Sequence, residues 1–257
     1  MAFCLDATAD KPTINEIMKK HLLFIGLWTA GTLGFFSCTN EDQDEMPTAT
    51  VNVKARAIAE NSALEESNPE ENARTIAGAN IISTALSIAN VSLQGSGETT
   101  TSAAIPLEQQ SIVGLSIIES ALPMTKAMGT VNLKQGDYTG ITLQFKQDTE
   151  LTETNPMYGK TLKIEGNVNN QLMSIHTDTE EMLAAVAASG AISISGDQEV
   201  FLNFDLNRLL ENVDLTLAMD GNGNGTVEIE PDNLDRNRDL YLTIIGNLEN
   251  ALYISSE

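Results

Sequence analysis

Basic residues, cysteine, histidine and tryptophan are all scarce in this chain of 257 residues. Lys and Arg number 14 against 36 Asp and Glu, a formal net charge of −22. That balance excludes nucleic acid and anionic lipid surfaces as partners, because both are bound by basic patches that displace counterions. The two cysteines, Cys4 and Cys38, are too few for a disulfide framework. Of the two histidines, His21 and His176, only the second lies beyond residue 37, and with Cys38 it is too little for a Cys/His zinc cluster in a chain that has lost residues 1–37. Aromatic residues make up 5% and the one tryptophan is Trp28, so broad stacking platforms are lacking. What is present is a hydrophobic fraction of 42%, enough for a packed core. The length allows one large domain or two small ones with a tail.

The first 38 residues read as an address. Met18-Lys19-Lys20-His21 is a short basic opening, followed by an apolar run from Leu22 to Phe36 and then Ser37-Cys38. Basic opening, apolar run and small residue before a cut are the parts of a secretory signal. As a helix the run spans about 22 Å at about 1.5 Å per residue, short of a hydrocarbon layer of about 30 Å. Met18 then reads as the true start and residues 1–17 as a mis-called extension. Leu33-Gly34-Phe35-Phe36-Ser37-Cys38 resembles a bacterial lipobox, in which the signal is cut before a cysteine that has received lipid. Phe35 stands where leucine is usual, whereas Ser37 fits. The resemblance implies lipidation of Cys38 and a membrane held through acyl chains. The alternative is an ordinary secreted protein with a leftover thiol. Acidic residues directly after Cys38 (Glu41, Asp42, Asp44, Glu45) resemble the export signature of surface-displayed lipoproteins in some Gram-negative lineages. Outer-membrane anchoring at the cell surface is expected, with the periplasmic face as the alternative.

The expected division is therefore a signal over 18–37, an acidic flexible linker over 38–74 and a folded domain over 75–257. The linker reading rests on nine carboxylates within 39–72 against Lys54 and Arg56, on mostly Ala as the apolar type, and on Pro47 and Pro69. Only a weak helix over Val51–Leu64 is expected within it. From Thr75 on, short apolar alternations separated by turn dipeptides predict a mainly β fold, an antiparallel β-sandwich. A phase slip between Ile88 and Val91 predicts a bulge at Ala89-Asn90. Strands are also expected at Leu215–Met219 and Leu240–Leu248. One helix is expected after Thr177, where Asp178 and Glu181 form a capping box, Met182, Leu183, Val186 and Ala187 form a stripe, and Gly190 ends it. A shorter helical turn is expected from Asp205 through Leu210.

Three segments carry a family resemblance. They are Val131-Asn132-Leu133-Lys134-Gln135-Gly136-Asp137-Tyr138-Thr139-Gly140-Ile141-Thr142-Leu143-Gln144-Phe145, then Glu199-Val200-Phe201-Leu202-Asn203-Phe204-Asp205-Leu206, then Gly225-Thr226-Val227-Glu228-Ile229-Glu230-Pro231. In this order they are similar to an uncharacterised bacterial family of secreted and lipid-anchored domains, catalogued as domain of unknown function 4382. The resemblance spans about Ile81 to Leu242. It implies a β-rich extracytoplasmic domain and carries no activity to transfer. Read by itself, Tyr138 just past a turn is expected to lay its ring on the sheet edge and keep its hydroxyl wet.

The chemistry that survives export is limited. His176 alone would have to serve a Ser–His–Asp triad, and no Gly-x-Ser-x-Gly elbow supplies a nucleophile. Glu228 and Glu230, two apart on an expected strand, share one face, with Asp232 and Asp235 following. Such a pair serves glycoside hydrolysis only if it flanks a bound sugar at about 5 to 9.5 Å. The sharpest ligand pattern is Asp220-Gly221-Asn222-Gly223-Asn224-Gly225-Thr226-Val227-Glu228. It matches the opening of a calcium loop, with oxygens from Asp220, Asn222 and Asn224, a glycine sixth and the Thr226 carbonyl seventh. Pro231 stands where the closing bidentate Glu is wanted. The competing reading is a hairpin turn, for which Asp-Gly and Asn-Gly are the usual dipeptides. The sequence thus points to a non-enzymatic, lipid-anchored envelope protein acting in binding or assembly, with an extracellular protein or glycan as partner. The alternatives are a fimbrial subunit polymerising by strand addition after trimming at Arg74, and a calcium- or glycan-binding module.

Overall fold

The computed structural model describes residues 47–59, 74–97, 102–116 and 125–256. Cys38 and the whole signal segment lie outside the described residues. The fold is mainly β. Its strands are β1 (Thr48–Ile58), β2 (Arg74–Ile76), β3 (Ala79–Gly95), β4 (Ala103–Ala104), β5 (Ser111–Ser116), β6 (Thr125–Lys134) and β7 (Gly136–Phe145). They continue with β8 (Leu162–Val168), β9 (Gln171–Thr177), β10 (Glu181–Ala187), β11 (Ile192–Ile194), β12 (Gln198–Asp205), β13 (Thr226–Ile229) and β14 (Leu252–Ser256). Helices α1 (Leu206–Leu209) and α2 (Arg238–Gly246) complete it.

One hydrogen-bonded path runs β13-β9-β8-β3-β7-β10-β14-β12-β1-β6. Strand β3 is its pivot. Its first half pairs with β8 and its second half with β7, so one 17-residue strand serves two sets of neighbours. The crossing needs local irregularity, and the ladder shifts at Ala89, where Asn90 takes a φ of 50°. The expected bulge is there. Inward side chains from both sets, including Ile81, Leu86, Leu143, Phe145, Ile164 and Phe204, form one continuous buried cluster. Burying each such side chain contributes about 1.5–3 kcal/mol.

The expectation of purely antiparallel pairing needs correction. Strand β1 runs parallel to β12, β10 to β14, and β13 to β9. The linker boundary needs correction as well, because Thr48–Ile58 is the first strand and lies between β12 and β6. Its inward residues are Ala49, Val51, Val53, Ala55 and Ala57, all buried. Their strict alternation was present in the sequence. Small apolar side chains and the acidic flanks masked it, and only two waiting strand edges make it worth ordering. Outward, Lys54 pairs with Glu199, while the Arg56 Nε donates to Asn203 Oδ1 at 2.6 Å beneath a guanidinium lying 4.3 Å from the Phe201 ring centroid.

Three local assignments also change. Glu181–Ala187 is strand β10, with Leu183, Ala185 and Ala187 buried and Met182 and Val186 exposed. Six short apolar residues give a weak helix, whereas here the β7 and β14 edges both gain hydrogen bonds. Leu240–Leu248 falls in and after helix α2, which buries Tyr241 and Ile244, followed by Leu248. That spacing of three and four is helical, despite the β-branched content. Leu215–Leu217 is a single 3-10 turn capped by Asp214, not a strand. The expected helical turn after Asp205 is α1, whose Asp205 carboxylate accepts from the Asn207 and Arg208 N–H groups.

Candidate functional site

The Asp220–Glu228 segment lies at one end of the long pivot strand. Strand β13 follows β9, β9 follows β8, and Asn167 of β8 meets Asn80 at the start of β3. The same end holds the Asn169-Asn170 turn, whose Asn169 side chain donates to the Thr216 carbonyl at 2.9 Å. Where β1 begins, the Gln135 N–H bonds the Pro47 carbonyl and the Ser96 N–H bonds Asp137, beside the last residues of β3. The two ends are separated by the length of β3, up to about 50 Å at 3.2–3.4 Å per residue.

Within the loop, Asp220 gathers backbone. Its Oδ1 accepts from Gly223 N at 2.7 Å and Asn224 N at 3.1 Å, and its Oδ2 from Gly225 N at 2.8 Å. Asn222 Oδ1 accepts from Asn224 N, and Asn224 Oδ1 from Thr226 N. Both Asn side chains then turn their Nδ2 groups onto the Glu228 Oε2, at 3.2 and 3.0 Å. Gly223 and Gly225 take φ of 76° and 91°, the left-handed region that glycine enters freely. Gly221 is required for a different reason: a Cβ there would stand 2.6 Å from the Asp235 carbonyl oxygen.

A second tier holds this loop to the strand. Asp235 is fully buried; its Oδ1 accepts from Asn222 N at 3.0 Å and its Oδ2 from Glu228 N at 2.7 Å. Asn237, also buried, accepts from Met219 N and donates to the carbonyls of Met219 and Glu228, both at 2.8 Å. Glu228 therefore has its main-chain N–H and C=O satisfied by side chains. The Asp235/Asn237 pair does for β13 what a neighbouring strand would do, and it closes this sheet edge to pairing. Sequence reasoning named Asp235 only as a trailing carboxylate and missed Asn237. The spacing that reveals them, a strand residue answered seven and nine residues later, is legible only once the chain doubles back.

The donors fit calcium poorly as a closed site. Asp220, Asn222, Asn224 and Glu228 share one hydrogen-bond network, which Thr226 joins through its N–H. However, the amides present nitrogen to Glu228, and no bidentate carboxylate closes the loop at Pro231. Among the described residues, no three carboxylate, imidazole or thiol groups converge. The loop is held by turns closing on Asp220, Asn222 and Asn224, and it is not a β-hairpin, because Leu215–Leu217 is no strand and β13 pairs in parallel with β9.

The other candidates separate. Glu230 is buried, accepts from Leu234 N at 3.0 Å and lies 3.7 Å from the His176 Nε2, while Glu228 faces the loop amides. The carboxylate pair thus serves two different networks, and Asp232 is exposed beyond them. His176 is largely enclosed, and burial followed by the positive charge of Lys160 holds its pKa below the usual histidine value, against the pull of Glu228. At 3.7 Å the ring and Glu230 form an ion pair only when the ring is protonated, which the lowered pKa opposes. Tyr138 departs from its expected wet hydroxyl. It is 1% exposed, its hydroxyl donates to the Lys134 carbonyl at 2.9 Å across the turn, and burial raises its pKa. Of the seven described rings, Tyr138, Phe145, Phe201, Phe204 and Tyr241 are buried, and Tyr253 lies under the Arg208 guanidinium at 4.8 Å. Tyr158 is the ring left at 44% exposure. A shallow groove of about 500 Å³ beside the β3 bulge is lined by Ile88, Asn90, Val91, Ile105, Leu107 and Gln110, without an ionisable group. Arg74 opens β2, its backbone paired opposite Ile81.

No family model matches this chain, and neither a curated protein nor a solved structure matches it. Among the described residues, no helix is long and apolar enough to cross a membrane.

Proposed function

We propose that this chain is an outer-membrane lipoprotein, tethered through Cys38 at the cell surface, whose β-domain works by binding and not by catalysis. The resemblance to the unknown-function family of lipid-anchored domains supports the same reading. The observation that carries it is the division of labour between the two ends of the fold. Nine residues separate Cys38 from Thr48, so the first strand follows the proposed anchor closely along the chain. The Asp220–Asn237 loop is at the far end of β3, where Asp220 and Asp235 hold backbone N–H groups in place and Glu228 holds the two Asn side chains. That suits a presented surface. Labelling with radioactive palmitate tests the anchor: the wild type takes up label and Cys38→Ala does not. Protease added to whole cells tests display, with shaving of the intact-cell protein expected. An unlabelled product would sink the proposal, and protection from protease would move the domain to the periplasmic face.

Loose calcium binding at the open loop is proposed as well. Two carboxylates and two neutral amides place it with extracellular modules of about 10⁻⁴–10⁻³ M affinity. Millimolar calcium would raise the melting temperature slightly, with Glu228→Gln abolishing the shift.

Assembly by strand addition is the second reading, favoured by the place of β1. An N-terminal strand flanked on both sides, by β12 and β6, leaves a two-sided slot if it is withdrawn. Heat-labile ladders on a gel would promote this reading, and monomers under all conditions would end it.

A further inference from the structure

The chain contains two Asn-Gly junctions, Asn222-Gly223 and Asn224-Gly225, and both fall in the exposed loop. Asn-Gly is the junction most open to self-modification, because a glycine nitrogen meets no side chain as it approaches the preceding amide. In that reaction the Gly nitrogen loses its proton and bonds to the Asn Cγ. The Cγ–Nδ2 bond breaks, ammonia leaves, and a five-membered imide remains. Water then opens the imide at either carbonyl, giving aspartate or isoaspartate with one added negative charge. Nothing beyond water is consumed.

We propose that Asp220 is a guard over these two modification sites. The two nucleophiles are the N–H groups of Gly223 and Gly225, and one carboxylate holds both: Oδ1 the first at 2.7 Å, Oδ2 the second at 2.8 Å. A negative charge at that distance opposes the loss of the N–H proton, since the amide anion would form beside a like charge. The electrophiles are restrained too. Each Asn Oδ1 accepts from the N–H two residues on, and each Nδ2 donates to Glu228. Conversion would turn both donors facing Glu228 into carboxylates and repel it, so the guard also keeps the loop closed. The inference does not depend on the anchor, on calcium or on the binding role.

Peptide mapping by mass spectrometry, following the one-dalton gain at each junction, tests it on the full-length protein at neutral pH and 37 °C. Folded wild type is expected to keep both amides through an incubation in which the same protein in urea converts. Asp220→Ala is expected to convert about tenfold faster than wild type, the scale of one charge-assisted hydrogen bond. Glu228→Gln leaves both glycine N–H groups held and is expected to convert no more than about twofold faster, well under one such bond. Folded wild type converting as fast as the urea sample would overturn the proposal, as would equal rates in Asp220→Ala and wild type. Amide hydrogen exchange in wild type gives a second reading that does not rely on Asp220→Ala keeping the loop fold. Slow exchange at Gly223 and Gly225 supports the guard, and exchange at the free-peptide rate refutes it.

Discussion

A single buried side chain decides whether the β13 edge is covered. Asp235 answers two backbone N–H groups in a place water does not reach. Each orphaned donor costs about 1–3 kcal/mol. Asp235→Ala is therefore expected to lower the urea midpoint by an amount equivalent to at least one such donor; an unchanged midpoint would mean the edge is held otherwise. His176 gives a pH signature. Its folded-state pKa lies below the unfolded value of about 6.5, so the unfolded chain binds more protons in between. Its stabilising contribution is thus complete above about pH 6.5 and declines as pH falls from there toward the depressed folded value. Melting temperature should fall across that window, and His176→Gln should flatten the slope there. Lys160, Lys163, Glu228, Glu230 and Asp178 all stand near this ring, so the comparison is made at matched ionic strength. Residue types were legible in the sequence; roles were not. The convergence of Asp220, Asn222, Asn224 and Glu228 follows from local spacing, whereas Asp235 and Asn237 reach the loop only because the chain folds back along β13.

Among the elements, β1 carries the sharpest expectation. A chain beginning at Met46 should fold, and one beginning at Thr75 should not, since loss of β1 bares the edges of β12 and β6 and uncovers five buried side chains. Proteolysis and circular dichroism of the two products decide it. A stable fold from Thr75 would restore the linker boundary first expected. Strand β10 offers a second check. Met182→Glu, on the exposed face, is expected to be tolerated, whereas Ala185→Glu places a charge in the core and should unfold the domain. In a helix starting at Asp178 these two positions would not differ in this way. The β10 and α2 assignments were misread for one reason. Short apolar segments satisfy both periods, and the choice falls to the partners available: two strand edges for β10, and a core that meets Tyr241, Ile244 and Leu248 on one side for α2.

Over the whole molecule, net charge sets a term that no contact shows. With −22 formal charges, self-repulsion opposes the compact state, and salt screens it over about 10 Å at 0.1 M. Melting temperature should rise with sodium chloride from low ionic strength; a fall would point to ion pairs such as Lys54–Glu199 and Lys163–Glu165 as the dominant charge effect. By itself the sequence determined the β class, the Ala89-Asn90 bulge and the capped turn at Asp205, and it placed Asp220, Asn222, Asn224 and Glu228 close enough along the chain to share one network. These are matters of alternation, local capping and short spacing, which neighbours along the chain settle. Only the tertiary structure decided that Thr48–Ile58 is a strand, that three pairings run parallel, and that Asp235 and Asn237 seal an edge. Those depend on which surfaces meet across long separations, and burial against a partner outweighs weak local preference.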